Sequence, residues 1–96
     1  MPDNSAPSHD PASRAMRFHY GYILESEAHP EHFYVGLTEE ILDRLRRHNG
    51  GEVPHTKKSR PWRIKTTVAF THRERAVAFE RYLKTASGRA FAKKRL

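Results

Sequence analysis

The sequence has 96 residues, no cysteine, and a formal net charge of +7 when its histidines are neutral. A chain of this length corresponds to one domain. The lack of cysteine excludes disulfide bonds and thiolate metal sites, and it fits a reducing cytoplasm. No stretch approaches the roughly twenty apolar residues of a membrane span, so we expect no membrane partner.

Residues 1–16 are predicted to be a disordered N-terminal tail. Apart from Met1, residues 1–15 hold no large apolar side chain, and they contain three prolines and three serines. Such a segment cannot bury enough surface to order itself, and it lacks the apolar core of a signal peptide. We expect residues 17–96 to form the folded domain, because about eighty residues suffice for a small hydrophobic core.

The positive charge is concentrated in two segments that contain no acidic residue. These segments are 53–70, with Lys57, Lys58, Arg60, Arg63 and Lys65, and 84–96, with Lys84, Arg89, Lys93, Lys94 and Arg95. Blocks of this kind favour a polyanionic partner, most often nucleic acid. A solvated basic surface is the alternative interpretation.

The first predicted elements are two strands, over 17–25 and 32–37, which form a hairpin through a polar turn. Alternation places Tyr22 on one face of the first strand, and Gly21 in the middle of the strand marks a close approach to its backbone. The turn contains the pair His29 and His32. Because no further ligands lie nearby, we interpret them as surface histidines rather than as a metal site.

A helix is predicted after the second strand, with Thr38 as its N-cap and residues 49–51 as its end. Its apolar stripe consists of Ile41, Leu42 and Leu45. Arg44 and His48 are one helical turn apart at the edge of that stripe. Together with the strand residue Tyr34 they are placed to converge at one end of the sheet. A basic helix with a solvated face is the alternative.

A loop over 50–61 and a third strand over 62–70 follow. The loop is rich in Gly, Pro, Lys, Ser and Thr, and structureless loops of this length usually have a function. The third strand alternates, and its inward-facing residues are Trp62, Ile64, Thr66, Val68 and Phe70.

Two helices complete the predicted fold. The first starts at a capping box formed by Thr71 and Glu74 and runs to about Lys84. Residues 87–88 break it, and the last helix covers 89–96. The order β-β-α-β-α-α predicts an α+β fold, with a three-stranded, mainly antiparallel sheet and helices packed against it.

The penultimate helix carries a carboxylate inside its apolar arc. Glu80 falls between Ala76 and Val77 on the helical wheel, where an unpaired charge is costly to bury. One interpretation is an ion pair with Lys84, four residues later. The other is a metal ligand that faces the sheet, and the wheel does not separate the two.

Several short motifs occur in a fixed order along the chain. They are Tyr20-Gly21-Tyr22, Tyr34-Val35-Gly36, the helical segment 43–49, the loop segments 55–57 and 60–62, and the C-terminal segments 79–84 and 87–91. This ordered set, which extends over 17–96, resembles the GIY-YIG nuclease superfamily. Within it, the loop and C-terminal segments resemble the small single-domain branch of predicted endonucleases.

The resemblance implies a role for each residue that matches the family pattern. Tyr22 and Tyr34 correspond to the tyrosines around the attacking water and the scissile phosphate. Arg44 corresponds to the arginine that stabilises phosphate charge, and His48 to a histidine that relays a proton. Glu80 corresponds to the carboxylate that binds one Mg²⁺ ion, or Mn²⁺, and a magnesium site with one carboxylate keeps most of its waters.

Nucleic-acid contacts are expected from the basic loop, the third strand and the C-terminal helices. The candidate residues are His55, Lys57, Lys58, Arg60, Trp62, Arg63, Lys84 and Arg89. A loop or helix surface that merely faces solvent is the alternative for each of the charged residues.

The chain departs from the family pattern in two places. Its first motif has glycine in the middle and tyrosine where glycine is usual, and no asparagine follows Asn49. Many relatives carry a late asparagine near the site. The resemblance also implies a separate recognition domain in most relatives, and the sequence shows none. We therefore expect recognition of substrate structure, a protein partner that supplies specificity, or weak general cleavage.

The functional prediction is a metal-dependent endonuclease that hydrolyses nucleic acid, with DNA favoured over RNA. It is expected to act in DNA repair or processing, in the cytoplasm or associated with the nucleoid. A non-catalytic nucleic-acid-binding module on the same fold is the first alternative. The second is an interaction domain whose basic C-terminal segment docks on an acidic protein.

Overall fold

The structure is a computed structural model that describes residues 17–96, so the predicted tail lies outside the described residues. The strands are His19–Ser26 (β1), Phe33–Thr38 (β2) and Trp62–Phe70 (β3), and the helices are Ile41–Asn49 (α1), Arg73–Leu83 (α2) and Ala86–Arg95 (α3), with a 3₁₀ helix at Pro54–Ser59. The strands form one antiparallel sheet in the order β2-β1-β3. This arrangement confirms the predicted α+β fold. None of the helices in the described part is long and apolar enough to cross a membrane.

Different helices cover the two faces of the sheet. On one face, Ile41 and Leu45 of α1 pack against a core that includes Tyr22 of β1. On the other face, Phe79 of α2 lies so close to Gly21 that an added Cβ would be 2.8 Å from its ring. Gly21 is therefore the close approach that the sequence predicts.

At Lys65, the inward side chains of strand β3 change from one face of the sheet to the other. Ile64 pairs with Leu24, but Thr66 pairs with the adjacent Ile23, so Lys65 is an extra residue in a β-bulge. Because directly paired residues share a face, Trp62 and Ile64 face α1, whereas Thr66, Val68 and Phe70 face α2. The predicted alternation in exposure is observed, but its inward residues are divided between two faces of the sheet.

Helix α1 begins later than its sequence predicts. Glu40 occupies the N-cap position without a side-chain hydrogen bond, and the Thr38 hydroxyl accepts from the Glu40 N–H at 3.0 Å instead. Leu42 is 66% exposed, so its assignment to the apolar stripe was wrong. His48, seven residues after Ile41, takes the inward position and is fully buried.

The predicted structureless loop contains the 3₁₀ helix, and side chains fix it to the sheet. The Asn49 amide donates to the Trp62 carbonyl at 3.0 Å and accepts from the Trp62 N–H at 2.6 Å. The Trp62 indole N–H donates to the Thr56 carbonyl at 2.8 Å. These bonds connect the end of α1, the 3₁₀ helix and the start of β3, and they bring buried Thr56 beneath His48.

The starts of α2 and α3 also differ from prediction. The capping box over 71–74 is absent, and His72 is the N-cap without a side-chain hydrogen bond. Gly88 does not break a helix: it lies inside α3, where an added Cβ would overlap the Tyr82 carbonyl. The Thr85 hydroxyl caps α3 by accepting from the Gly88 N–H at 3.0 Å. Glycine is therefore required where α3 turns back against the end of α2.

Candidate active site

A buried phenol lies across the edge strand of the sheet. Tyr22 is 1% exposed and is paired with Gly36 of β2. An added Cβ at Gly36 would overlap both the ring and the hydroxyl of Tyr22. Only glycine at this position lets the phenol pass over β2, which gives a physical reason for the glycine that ends the second motif.

The Tyr22 hydroxyl begins a buried chain of hydrogen bonds. Its oxygen lies 3.0 Å from Nε2 of His48, and Nδ1 of His48 lies 2.9 Å from Oγ1 of Thr56. Thr56 donates its one hydroxyl proton to the Val53 carbonyl at 3.2 Å. Its oxygen must therefore accept from Nδ1–H of His48, which leaves Nε2 as the acceptor for the phenol proton.

Burial favours the neutral forms of both Tyr22 and His48. The pKa of His48 is lowered from its ordinary value of 6.5, first by burial and then by the positive charge of Arg44. Burial raises the pKa of Tyr22 above its usual range, and Tyr34 raises it further. Arg44 lowers the pKa of Tyr22 without offsetting the burial. In the unbound protein, Tyr22 is therefore a neutral phenol that donates to a neutral imidazole.

The second motif tyrosine lies beside the same imidazole. The ring centroid of Tyr34 is 4.7 Å from that of His48 and 6.3 Å from that of Tyr22. Tyr34 is partly buried and packs against the core beneath α1. The two motif tyrosines and the histidine therefore form one aromatic cluster, as the resemblance implies.

Arg44 of α1 lies one helical turn before the buried histidine. Asp43 accepts a hydrogen bond from Arg46 at 3.1 Å and forms an ion pair with Arg47 at 3.1 Å. Within residues 17–96 the guanidinium of Arg44 forms no ion pair. Its charge is close enough to lower the pKa of both His48 and the Tyr22 phenol. Arg44 is therefore a cation beside the phenol that has no carboxylate partner in the described part of the chain.

Glu80 of α2 stands near the same centre from the other side of the sheet. Its side chain is 16% exposed, and its Oε2 lies 2.5 Å from Nζ of Lys84. The ion pair that the helical wheel allows is thus present. The carboxylate charge also makes a small contribution to the raised pKa of Tyr22.

The residues around Glu80 fit a metal ion that takes few protein ligands. Across residues 17–96 there is no group of three or more His, Asp or Glu side chains that could surround an ion. Mg²⁺ is commonly bound by one or two carboxylates, with water and phosphate oxygens as its other ligands. A half-buried carboxylate of this kind fits this chemistry, and Lys84 is the group that an ion would displace.

The predicted nucleic-acid contacts are not all on one surface. Four of the candidate residues are exposed on the 3₁₀ helix and the loop that follows it, namely His55, Lys57, Lys58 and Arg60. Arg63 is exposed but donates to Glu25 from two nitrogens, at 3.1 and 2.8 Å, and this bond raises the pKa of Arg63. Lys84 and Arg89 line a separate groove beside α3. Trp62 is only 5% exposed and belongs to the core, so the structure does not present it to a base.

Thr56 and Asn49 are the residues whose importance the sequence does not reveal. Thr56 lies within the loop motif, yet a threonine beside His55 and Lys57 carries no pattern that indicates burial. Asn49 is part of the helical motif, and its sequence position indicates a helix end rather than a clamp on Trp62. Both roles depend on how the loop folds back to the sheet.

The fold and this cluster together define a GIY-YIG domain. The sequence model of the GIY-YIG catalytic domain family matches residues 18–95. The chain belongs to the GIY-YIG family, and the match confirms the superfamily that the ordered motifs resemble.

Several proteins that are named as endonuclease subunits are similar to most of this chain. The structure-specific endonuclease subunit SLX1 of Scheffersomyces stipitis is 38% identical over 87 residues, covering 82% of this chain and 26% of that protein. The SLX1 subunit of Meyerozyma guilliermondii is 44% identical over 71 residues (67% and 24%), and that of Candida dubliniensis 40% over 84 residues (79% and 29%). The chain thus spans about a quarter of the length of these relatives. The endonuclease class of these relatives agrees with the predicted class.

Proposed function

We propose that this domain is a divalent-metal-dependent endonuclease that hydrolyses phosphodiester bonds in DNA at branched or otherwise structured sites. The observation that carries the proposal is the oriented chain of hydrogen bonds from Tyr22 through His48 to Thr56, with Arg44 beside it and without an ion-pair partner in residues 17–96. The relatives are named structure-specific endonuclease subunits, which supports a substrate chosen by its shape. The word subunit supports a protein partner that supplies part of the specificity.

The hydrogen-bond directions define a path for the proton of the attacking water. The Tyr22 oxygen accepts this proton while its own proton passes to Nε2 of His48, across 3.0 Å. The resulting imidazolium keeps its Nδ1–H bond to Thr56. Because Tyr22 itself is hard to ionise, the imidazole is the group that takes up the proton.

The charged residues stabilise the phosphate as the new bond forms. Arg44 donates to the non-bridging oxygens, where charge accumulates in the transition state. Tyr34 borders the imidazole and holds the position of the phosphate group beside it. Glu80 would hold one Mg²⁺ or Mn²⁺ ion, which when bound neutralises charge on the phosphoryl oxygens as a Lewis acid.

Replacement of Glu80 tests the proposal most directly. We expect Glu80→Gln to lower the cleavage rate of a branched DNA in Mg²⁺ by at least about 100-fold, because the amide cannot hold the ion. DNA affinity should stay the same or rise slightly, since one negative charge is removed near phosphate. Loss of the partly buried pair with Lys84 should lower the free energy of unfolding by no more than about 1 kcal/mol.

The matched control is Glu74→Gln, which removes the same charge from an exposed position in the first turn of the same helix. It should cleave like the wild type. Wild-type cleavage by Glu80→Gln would refute the metal assignment. If the wild-type protein binds branched DNA but cuts neither DNA nor RNA in Mg²⁺ or Mn²⁺, the domain is the non-catalytic binding module instead.

A further inference from the structure

A groove of about 770 Å³ runs between β2 and α3, on the side of the sheet that α2 covers. Its floor is apolar and includes Ile23, Val35, Leu83 and Ala92. Four cations line it: Lys65, Lys84, Arg89 and Lys93. Glu31 is the acidic residue among those that line it. An apolar floor with a cationic edge suits a ligand that carries both flat apolar surface and repeated negative charge.

Phe33 at the start of β2 supplies an aromatic surface in this groove. It is 51% exposed, although it is large and apolar. Base faces stack on exposed aromatic side chains of this kind, and the adjacent cations can contact the phosphates. Lys65 places its charge on the same side of the sheet, because it directly follows Ile64, which faces α1, and adjacent strand residues point to opposite faces.

We propose that the groove binds an unpaired single strand of nucleic acid, with bases on Phe33 and the apolar floor and phosphates on the cations. Bases in a duplex are stacked on both faces and paired, so only an unpaired base can enter an apolar groove. Pockets of roughly 300–1,000 Å³ enclose ligands about the size of a nucleotide. The groove therefore holds one or two nucleotides, and the rest of the strand follows the cationic edge.

The groove adjoins the reaction centre, which favours nucleic acid over an acidic peptide as its occupant. Tyr34 of the edge strand β2 is among the residues that line the groove, and its ring lies on the α1 side against the imidazole of His48. Lys84, which lines the groove too, is paired with the candidate metal ligand Glu80. A strand whose phosphate lies at the centre therefore reaches the groove by passing around the edge of the sheet at Tyr34. This step rests on the proposed function, and it means that the DNA next to the cut is single-stranded.

Binding without metal tests the groove independently of cleavage. In EDTA, a fluorescein-labelled oligothymidylate of about twelve nucleotides should bind Phe33→Ala about 5- to 100-fold more weakly than the wild type. A fully paired duplex of the same length should bind both proteins alike. Phe91→Ala is the matched control: Phe91 is 40% exposed on α3 and does not line the groove. It should leave the affinity for the oligothymidylate unchanged.

A second pair of variants separates groove contacts from general charge and does not depend on the aromatic ring. Lys93→Gln and Lys94→Gln remove one charge from neighbouring positions of α3, but only Lys93 lines the groove. The slope of log affinity against log salt should become shallower by about 0.7 in Lys93→Gln and stay unchanged in Lys94→Gln. Equal changes in both variants would show that net charge, and not the groove, attracts the strand.

Three outcomes would overturn the proposal or the function on which it rests. If the wild type cleaves branched DNA but neither Phe33→Ala nor Lys93→Gln changes oligothymidylate binding, the proposed groove is refuted and the proposed function stands. Binding of a labelled glutamate-rich amphipathic peptide that is lost in Phe33→Ala, while the oligothymidylate binds unchanged, makes the groove a peptide site. Phe33-dependent binding in a wild type that never cleaves supports the groove and refutes the proposed nuclease.

Discussion

The two sides of the candidate active site differ in how many of their polar and charged groups have a partner within the protein. On the proton-transfer side, Tyr22, His48 and Thr56 are at most 1% exposed, and each polar atom has a partner within the fold. On the charge side, Arg44 has no ion pair within the described residues, and Glu80 is paired with a lysine that is 57% exposed. The comparison shows that the fold itself fixes the hydrogen bonds of Tyr22, His48 and Thr56, whereas in the proposed mechanism the substrate phosphate and the metal ion would complete the charge side.

Removal of the His48 imidazole should have the largest effect on kcat, because it interrupts the buried hydrogen bonds between Tyr22 and Thr56. We expect His48→Ala to lower kcat by about 10²- to 10⁴-fold, the usual contribution of a general base. It should also lower the free energy of unfolding by about 1–3 kcal/mol, since Tyr22 and Thr56 lose their partner. Added imidazole should restore part of kcat by filling the cavity. A wild-type rate in His48→Ala at pH 8 would refute the proton path.

Removal of the Arg44 guanidinium should have the next largest effect on kcat and should leave the stability unchanged. We expect Arg44→Gln to lower kcat by about 10²- to 10³-fold, because a donor to the transition-state charge is lost. Its melting temperature should match the wild type, since no ion pair within residues 17–96 is broken. Arg46→Gln, which removes an exposed arginine of the same helix, is the control and should keep full kcat. Equal losses in both variants would point to general charge.

The buried threonine tests whether orientation of the imidazole matters beyond its presence. Thr56→Val leaves Nδ1–H of His48 without an acceptor, so we expect about tenfold lower kcat and about 1–3 kcal/mol lower stability. Thr56→Ser keeps the hydroxyl and should restore kcat. If the serine variant regains stability but not kcat, then Thr56 serves packing and does not position the imidazole.

The pH dependence of stability should show the smallest effect. The unfolded chain protonates His48 near pH 6.5, whereas the folded chain does so only at lower pH. Between these two values the unfolded state binds more protons, so the contribution of His48 to stability is complete above pH 6.5 and declines as the pH falls below it. The melting temperature of the wild type should therefore fall more steeply in this window than that of His48→Gln. Parallel curves would contradict the lowered pKa.

The motifs in the sequence identify the side chains of the candidate site but not the residues that hold those side chains in place, which we call the supports. Their order matches a family pattern, and the structure brings Tyr22, Tyr34 and His48 into one cluster, with the charges of Arg44 and Glu80 close by. Periodicity placed Tyr34, Arg44 and His48 together, and the resemblance to the family added Tyr22 and Glu80 to the same site.

The supports were not predictable, because they depend on contacts between distant segments. Thr56 is buried only because the loop folds into a 3₁₀ helix held by Trp62 and Asn49. Gly88 looks like a helix breaker in sequence, yet it is required inside α3 by the Tyr82 carbonyl. Trp62 was predicted both to face the core and to contact nucleic acid, and its burial confirms the first prediction and contradicts the second. These contacts join separate elements of the fold, so local patterns do not reveal them; the close approach at Gly21, predicted from a glycine in mid-strand, is the exception.

The bulge at Lys65 makes one position of β3 dispensable for the register of the strand. The inward side chains of β3 face α1 up to Ile64 and face α2 from Thr66 onward. Deletion of Lys65 would leave these faces unchanged, because Thr66 would then follow Ile64 directly and still pair with Ile23. Deletion of Thr67 would instead act like a frameshift, since Val68 and Phe70 would turn toward α1 and Phe79 would lose its contact with Phe70. A scan of single-residue deletions along β3 should therefore find folded protein for the deletion of Lys65 and little or none for the deletion of Thr67.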